Sequence, residues 1–127
     1  MSDSGMTKGA KKKILVVDDE RVIADTLTII LNQAGFEAAA AYTGKSAVES
    51  ARASRPDLVI SDVIMPDMNG IEAAIRIREL LPACKVLLFS GQAATADLLE
   101  RARAQGHEFE ILAKPVHPQD LLAKLKG

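Results

Sequence analysis

Tryptophan is absent from the 127 residues, one tyrosine and three phenylalanines make up the aromatic complement of 3%, and a single cysteine stands alone. So few rings exclude the stacking platforms on which single-stranded nucleic acids are held. The lone Cys84 excludes an internal disulfide framework and fits a reducing compartment, where a buried, hydrophobe-like thiol is the ordinary state. An excess of either charge is also missing. Lys and Arg number 16 against 17 for Asp and Glu, a net charge of -1, so no broad basic field exists to grip a polynucleotide backbone. No apolar run approaches the ~20 residues that a membrane-spanning helix needs. The polar start MSDSGMTKGAKKK is not a signal peptide. These absences point to a cytoplasmic protein with no direct nucleic-acid contact and no membrane segment.

What is present is apolar mass: 48% of the residues are hydrophobic, enough for one domain with a real core. Residues 1–12 read as a disordered N-terminal tail and residues 13–127 as the folded domain. Within that domain, apolar runs alternate with segments of helical period. The runs are Ile14 to Val17, a weaker Phe36 to Tyr42, Leu58 to Ile60, Val86 to Phe89 and Ile111 to Ala113. Between them lie stripes at helical spacing: Ile23, Leu27, Ile30, Leu31 and Ala34 before Gly35; Ala47, Val48 and Ala51; Ile71, Ala74, Ile75 and Arg78 with Leu81 before Pro82; Leu98, Leu99 and Ala102 before Gly106. Pro118 suits a first helical turn, and Leu121, Leu122 and Leu125 follow it. Five strand-helix repeats predict an α/β fold, a doubly wound five-stranded parallel sheet with five helices on its two faces.

The polar residues recur at one place in this pattern. Asp18 and Asp19 follow the first run, Asp62 lies just past the third, Ser90 follows the fourth and Lys114 the fifth. In an open parallel sheet these strand ends share one edge, where ligands bind at the point at which strand order reverses. Acids at a helix start are ordinary when met singly. Their joint placement with a hydroxyl and a lysine suits a hard divalent cation and phosphoryl oxygens, with one aspartate as a nucleophile. Asp57, Asp67 and Glu72 read as solvated or capping acids, and His107 and His117 have no ligand-spaced partner. TGKS, at Thr43 to Ser46, lacks the earlier glycine of a phosphate-binding loop, since Ala39 occupies that position. It reads as a helix start.

The stretches ILVVDDE, PDLVISDVIMPDMNG, VLLFSG and ILAKP, in this order and spacing, closely resemble the receiver domain of two-component response regulators, over about residues 13 to 126. The resemblance implies the flavodoxin-like receiver fold of the chemotaxis-regulator kind. It implies that Asp62 accepts a phosphoryl group from a sensor histidine kinase or phosphotransfer protein, in a two-component system or phosphorelay. It further implies that Asp18, Asp19, Asp62 and the backbone carbonyl of Ile64 hold Mg2+, that Ser90 and Lys114 engage the phosphoryl group, and that a cis peptide precedes Pro115. The chain is then a switch and not an enzyme in the usual sense, catalysing only its own phosphorylation and dephosphorylation. Its downstream protein would be met by the face of the last two strand-helix units. Most receivers carry an aromatic residue three positions before the lysine; here that position is Ile111, with Phe109 two residues earlier on the same strand face. A receiver excised from a larger regulator or hybrid kinase is the nearest alternative. A Mg2+-dependent aspartyl phosphatase would want a second acid two residues after the nucleophile, where Ile64 stands.

Overall fold

The computed structural model describes residues 11–91, 95–114 and 117–126. The expectations for the tail before residue 11 and for the peptide bond at Pro115 lie outside them. Strands β1 (Lys13–Val17), β3 (Leu58–Asp62) and β4 (Lys85–Ser90) form the middle of one sheet, flanked by β2 (Glu37–Ala41) and β5 (Glu110–Ala113). All pairings are parallel and the order is β2-β1-β3-β4-β5. Parallel central strands are buried on both faces, which is why β1, β3 and β4 read as unbroken apolar runs. The edge strand β2 is alanine-rich, and its run was correspondingly weak.

The connections are α1 (Arg21–Gln33), α2 (Gly44–Ser54), α3 (Gly70–Leu80), α4 (Thr95–Ala104) and α5 (Pro118–Lys126). Strand residues of one parity, Ile14, Val16, Ile60, Leu87 and Phe89, pack against α1 and α5 through Ala24, Leu27, Leu31 and Leu121. Those of the other parity, Leu15, Val17, Val59, Val86 and Leu88, meet α2, α3 and α4 through Ala47, Ala51, Ala74, Ile77 and Ala102. The sheet is therefore doubly wound, as expected. Side chains such as Leu31, Ile60, Ile77 and Leu88 are fully buried, and each such burial contributes roughly 1.5–3 kcal/mol. Gly35 and Gly106 adopt φ of 102° and 91° just beyond α1 and α4, the left-handed turn that glycine makes without strain.

Two details differ from the sequence pattern. The inward face of α3 holds the expected Ile71 and Ala74 but adds Ala73 and Ile77, while Ile75 and Arg78 lie at its margin. Phe36 belongs to the turn before β2 and packs on the α1 side of the core. At the outer rim, the Asn32 side chain of α1 accepts from the Ala38 amide at 2.8 Å and donates to the Ala38 carbonyl at 3.2 Å, binding the free edge of β2 to its own helix. Among the described residues no helix is long and apolar enough to cross a membrane.

Candidate functional site

Strand register brings the polar residues together. Val17 pairs with Ser61, so Asp18 lies level with Asp62; Asp62 pairs with Phe89, and Ser90 pairs with Ala113, one residue short of Lys114. The gap between β1 and β3 is the point where strand order reverses, the usual place for a ligand in such a sheet. Asp62 continues the parity of Leu58 and Ile60, and Lys114 that of Leu112, so both belong to the α1 and α5 side of the sheet. Ser90 continues the parity of Leu88 on the other side and is half-buried.

The contacts follow that placement. Lys114 Nζ lies 3.1 Å from Asp62 Oδ1. One carboxylate oxygen from each of Asp18, Asp19 and Asp62 falls within 4.8 Å of the others, close enough to share one cation. Asp18 and Asp62 are buried, whereas Asp19 is exposed. Asp18 Oδ1 accepts from the Glu20 amide at 2.9 Å, but Oδ2 is buried with no hydrogen-bond partner among the described residues. Burial pushes the Asp18 carboxyl up from 3.8 to about 6; the Glu20 amide pulls it down, Asp62 raises it and Lys114 lowers it. A buried carboxylate oxygen without a donor, beside two further acids, is the donor set a hard divalent cation satisfies. Asp18, Asp19 and Asp62 thus fit a Mg2+ ion by their chemistry.

The segment after Asp62 is built by close approach. The Val63 amide donates to the Phe89 carbonyl at 3.2 Å, and the Gly70 amide donates back to the Val63 carbonyl at 2.7 Å. A Cβ at Gly70 would stand 2.0 Å from the Asp62 carbonyl oxygen, so only glycine fits there. The Ser61 hydroxyl donates to that same carbonyl at 2.9 Å. Val63 and Met65 turn inward, and Ile64 between them is exposed, 44% of its surface open to solvent. Gly91 brings the backbone after β4 against Lys114, where an added Cβ would lie 3.2 Å from the lysine Cβ. Ile111 is half-buried and packs with Phe109 on the α3 and α4 side of the core; the Arg78 guanidinium lies 4.3 Å from the Phe109 ring centroid.

Every strand-end residue singled out from the sequence is at the carboxyl edge of the sheet, with Asp18, Asp19, Asp62 and Lys114 in one cluster. The close approach at Gly70 and the hydroxyl of Ser61 were not singled out. The NG dipeptide that opens α3, at the end of the stretch PDLVISDVIMPDMNG, was the sequence signal for the former.

Comparison with known proteins agrees with this architecture. The family description "response regulator receiver domain" matches residues 14–126. The chain is 33% identical over 119 residues to the probable transcriptional regulatory protein TcrX of Mycobacterium tuberculosis, covering 94% of this chain and 50% of that protein. It is 34% identical over 115 residues to the chemotaxis protein CheY of Thermotoga maritima, covering 90% and 94%. It thus spans about half of the first relative and nearly all of the second. A CheY-like receiver domain protein from Methanospirillum hungatei superposes with a TM-score of 0.82 at 30% identity, over 92% of both chains.

Proposed function

The chain belongs to the response regulator receiver domain family, and from that membership we propose that it is a phosphorylation switch whose acceptor is Asp62. The observation that carries the reading is the 3.1 Å contact between Lys114 Nζ and Asp62 Oδ1, set beside the acidic cluster. An Asp62 oxygen attacks the phosphorus of a phosphohistidine; the O–P bond forms, the N–P bond breaks, and the imidazole leaves with its electron pair and takes up a proton. Lys114 and the Ser90 hydroxyl hold the oxygens of the phosphoryl group, whose charge is spread over equatorial positions in a loose transition state. Asp18, Asp19, Asp62 and the Ile64 carbonyl would hold Mg2+, which supplies charge neutralisation for carboxylate and phosphoryl oxygens.

The phosphodonor is a sensor histidine kinase or phosphotransfer protein. A cleft of about 620 Å³ beside Lys114, bounded by Val22 and Ile23 of α1, Phe89 and Pro118, supports docking there. Val22 is 78% exposed at its rim. The acyl phosphate is about one charge more negative than the carboxylate it replaces. Ser90 and Lys114 follow that charge and carry β4, α4, β5 and α5 with them, which changes the face offered to a downstream protein.

The test is incubation with a small acyl phosphate and Mg2+, read by intact mass. One added phosphoryl group is expected on the wild type and none on Asp62→Asn or in the presence of a chelator. Labelling that persists in Asp62→Asn removes Asp62 as the acceptor.

A further inference from the structure

The loop from Val63 to Asn69 carries the Ile64 carbonyl, and its far end is tied to a helix that precedes it in the chain. Asp67 Oδ1 accepts from the Gly44 amide at 3.0 Å, and Oδ2 accepts from the Lys45 amide at 3.0 Å. These are the first two residues of α2, whose opening amides have no partner within the helix. The Thr43 hydroxyl takes the Ser46 amide, also at 3.0 Å, and the Ala47 amide returns to the Thr43 carbonyl. The four opening donors of α2 are therefore divided between its own cap and a carboxylate from the β3–α3 loop. The amides hold the Asp67 carboxyl below its ordinary range, and the positive end of the helix dipole favours the same charge. Gly44 completes the contact by lacking a side chain: an added Cβ would stand 2.9 Å from Met68 Cβ.

At its near end the loop is fixed by the bond from the Gly70 amide to the Val63 carbonyl and by the lack of room at Gly70. Between these anchors Ile64 and Pro66 are exposed while Val63 and Met65 are buried in the core, so beyond Met65 the next side-chain tie on the loop is Asp67. We propose that Asp67 is a positioning residue for the cation site: its paired bonds to the Gly44 and Lys45 amides set the path of the loop and so the place of the Ile64 carbonyl beside Asp18, Asp19 and Asp62. This rests on the function proposed above. Asp67 touches neither cation nor phosphoryl group; it acts through Ile64.

Mn2+, a paramagnetic substitute for Mg2+, allows metal binding to be measured apart from activity, from the spin-resonance signal of the free ion. Relative to wild type, Asp67→Ala raises the Mn2+ dissociation constant about tenfold, the equivalent of one ordinary hydrogen bond lost from the site's organisation. Asp67→Asn, which keeps its shape and one acceptor oxygen, gives a smaller rise of about threefold, and it carries the comparison should the alanine variant fold poorly. Phosphoryl uptake from the acyl phosphate falls at low Mg2+ in both variants and returns to within about twofold of wild type at saturating Mg2+, as loss of metal positioning requires. A purely structural role would lower the melting temperature and leave metal affinity alone. Unchanged Mn2+ affinity in both variants, or a rate deficit that saturating Mg2+ does not restore, overturns the proposal while wild-type labelling leaves the phosphoacceptor reading standing. Conversely, weakened Mn2+ binding in the variants of a protein that takes no phosphoryl group overturns the phosphoacceptor reading and supports the role of Asp67. A wild type that binds no Mn2+ overturns both.

Discussion

Asp18→Asn should make the metal-free protein more stable at neutral pH. Asp18 is completely buried, its Oδ2 has no donor among the described residues, and burial with the neighbouring acids raises its carboxyl from 3.8 to about 6. The unfolded chain titrates near the ordinary value, so between about pH 4 and 6 the native state keeps a proton that the unfolded state has lost. The contribution of this group to stability is accordingly present below about pH 4 and is lost as pH rises through 6. A rise of about two pH units corresponds to about 3 kcal/mol at pH 7.5. That is an upper figure, because one side of the site opens toward water and charge there is partly screened. Asparagine keeps the acceptor for the Glu20 amide and carries no charge to bury. In urea unfolding followed by circular dichroism with EDTA present, the variant should exceed wild type by about 2–3 kcal/mol at pH 7.5 and by about 0.5 kcal/mol at pH 4. Mg2+ at about 100 times its dissociation constant should then return about 2.7 kcal/mol to the wild type and little to the variant. A variant less stable than wild type at pH 7.5 in EDTA refutes the reasoning.

Two further outcomes follow from the packing. Cys84 is 6% exposed and its thiol is pushed up to about 11 by burial; at pH 8 the thiolate fraction is negligible, so iodoacetamide should leave the native chain unmodified by intact mass and add one group in urea. Modification of the native chain at the unfolded rate would show that the site opens freely. Ile111→Val should cost at most about 1 kcal/mol, since the side chain is only half-buried, and should leave labelling by the acyl phosphate unchanged. A variant that folds and is no longer labelled would place Ile111 in the chemistry.

The legibility of this protein follows from which forces are local. Central parallel strands bury both faces, so Ile14 to Val17, Leu58 to Ile60 and Val86 to Phe89 announce themselves as runs, and a polar residue within two positions of the end of each falls at the ligand edge. Asp18, Asp62, Ser90 and Lys114 were visible for that reason. Asp67 was legible only as a solvated or capping acid, because the helix it caps begins 23 residues earlier and no local pattern links the two. Gly70 was hidden for a related reason: its importance lies in the nearness of the Asp62 carbonyl, a contact made by the returning chain. On the inward face of α3, Ile71, Ala74 and Leu81 were legible, and Ala73 and Ile77 were not. Arg78 fell on the expected stripe, but its guanidinium escapes the core by lying over the Phe109 ring and donating to the Glu108 carbonyl at 2.8 Å.

The rim of the sheet at β2 is almost wholly alanine, a flat and nearly uncharged lip of the kind on which strands of other molecules assemble. The first rung such a visitor would need is already taken, because the carboxamide of Asn32 occupies both the amide and the carbonyl of Ala38. Glu37 adds a charge where the lip begins, exposed to solvent. Growth of the sheet from this end of the edge is therefore opposed by occupancy. Crowded copies of the chain meet at Ala38 a side chain in the act of bonding instead of a vacant template, and one asparagine shortens the stretch of rim on which fibre-like association can start.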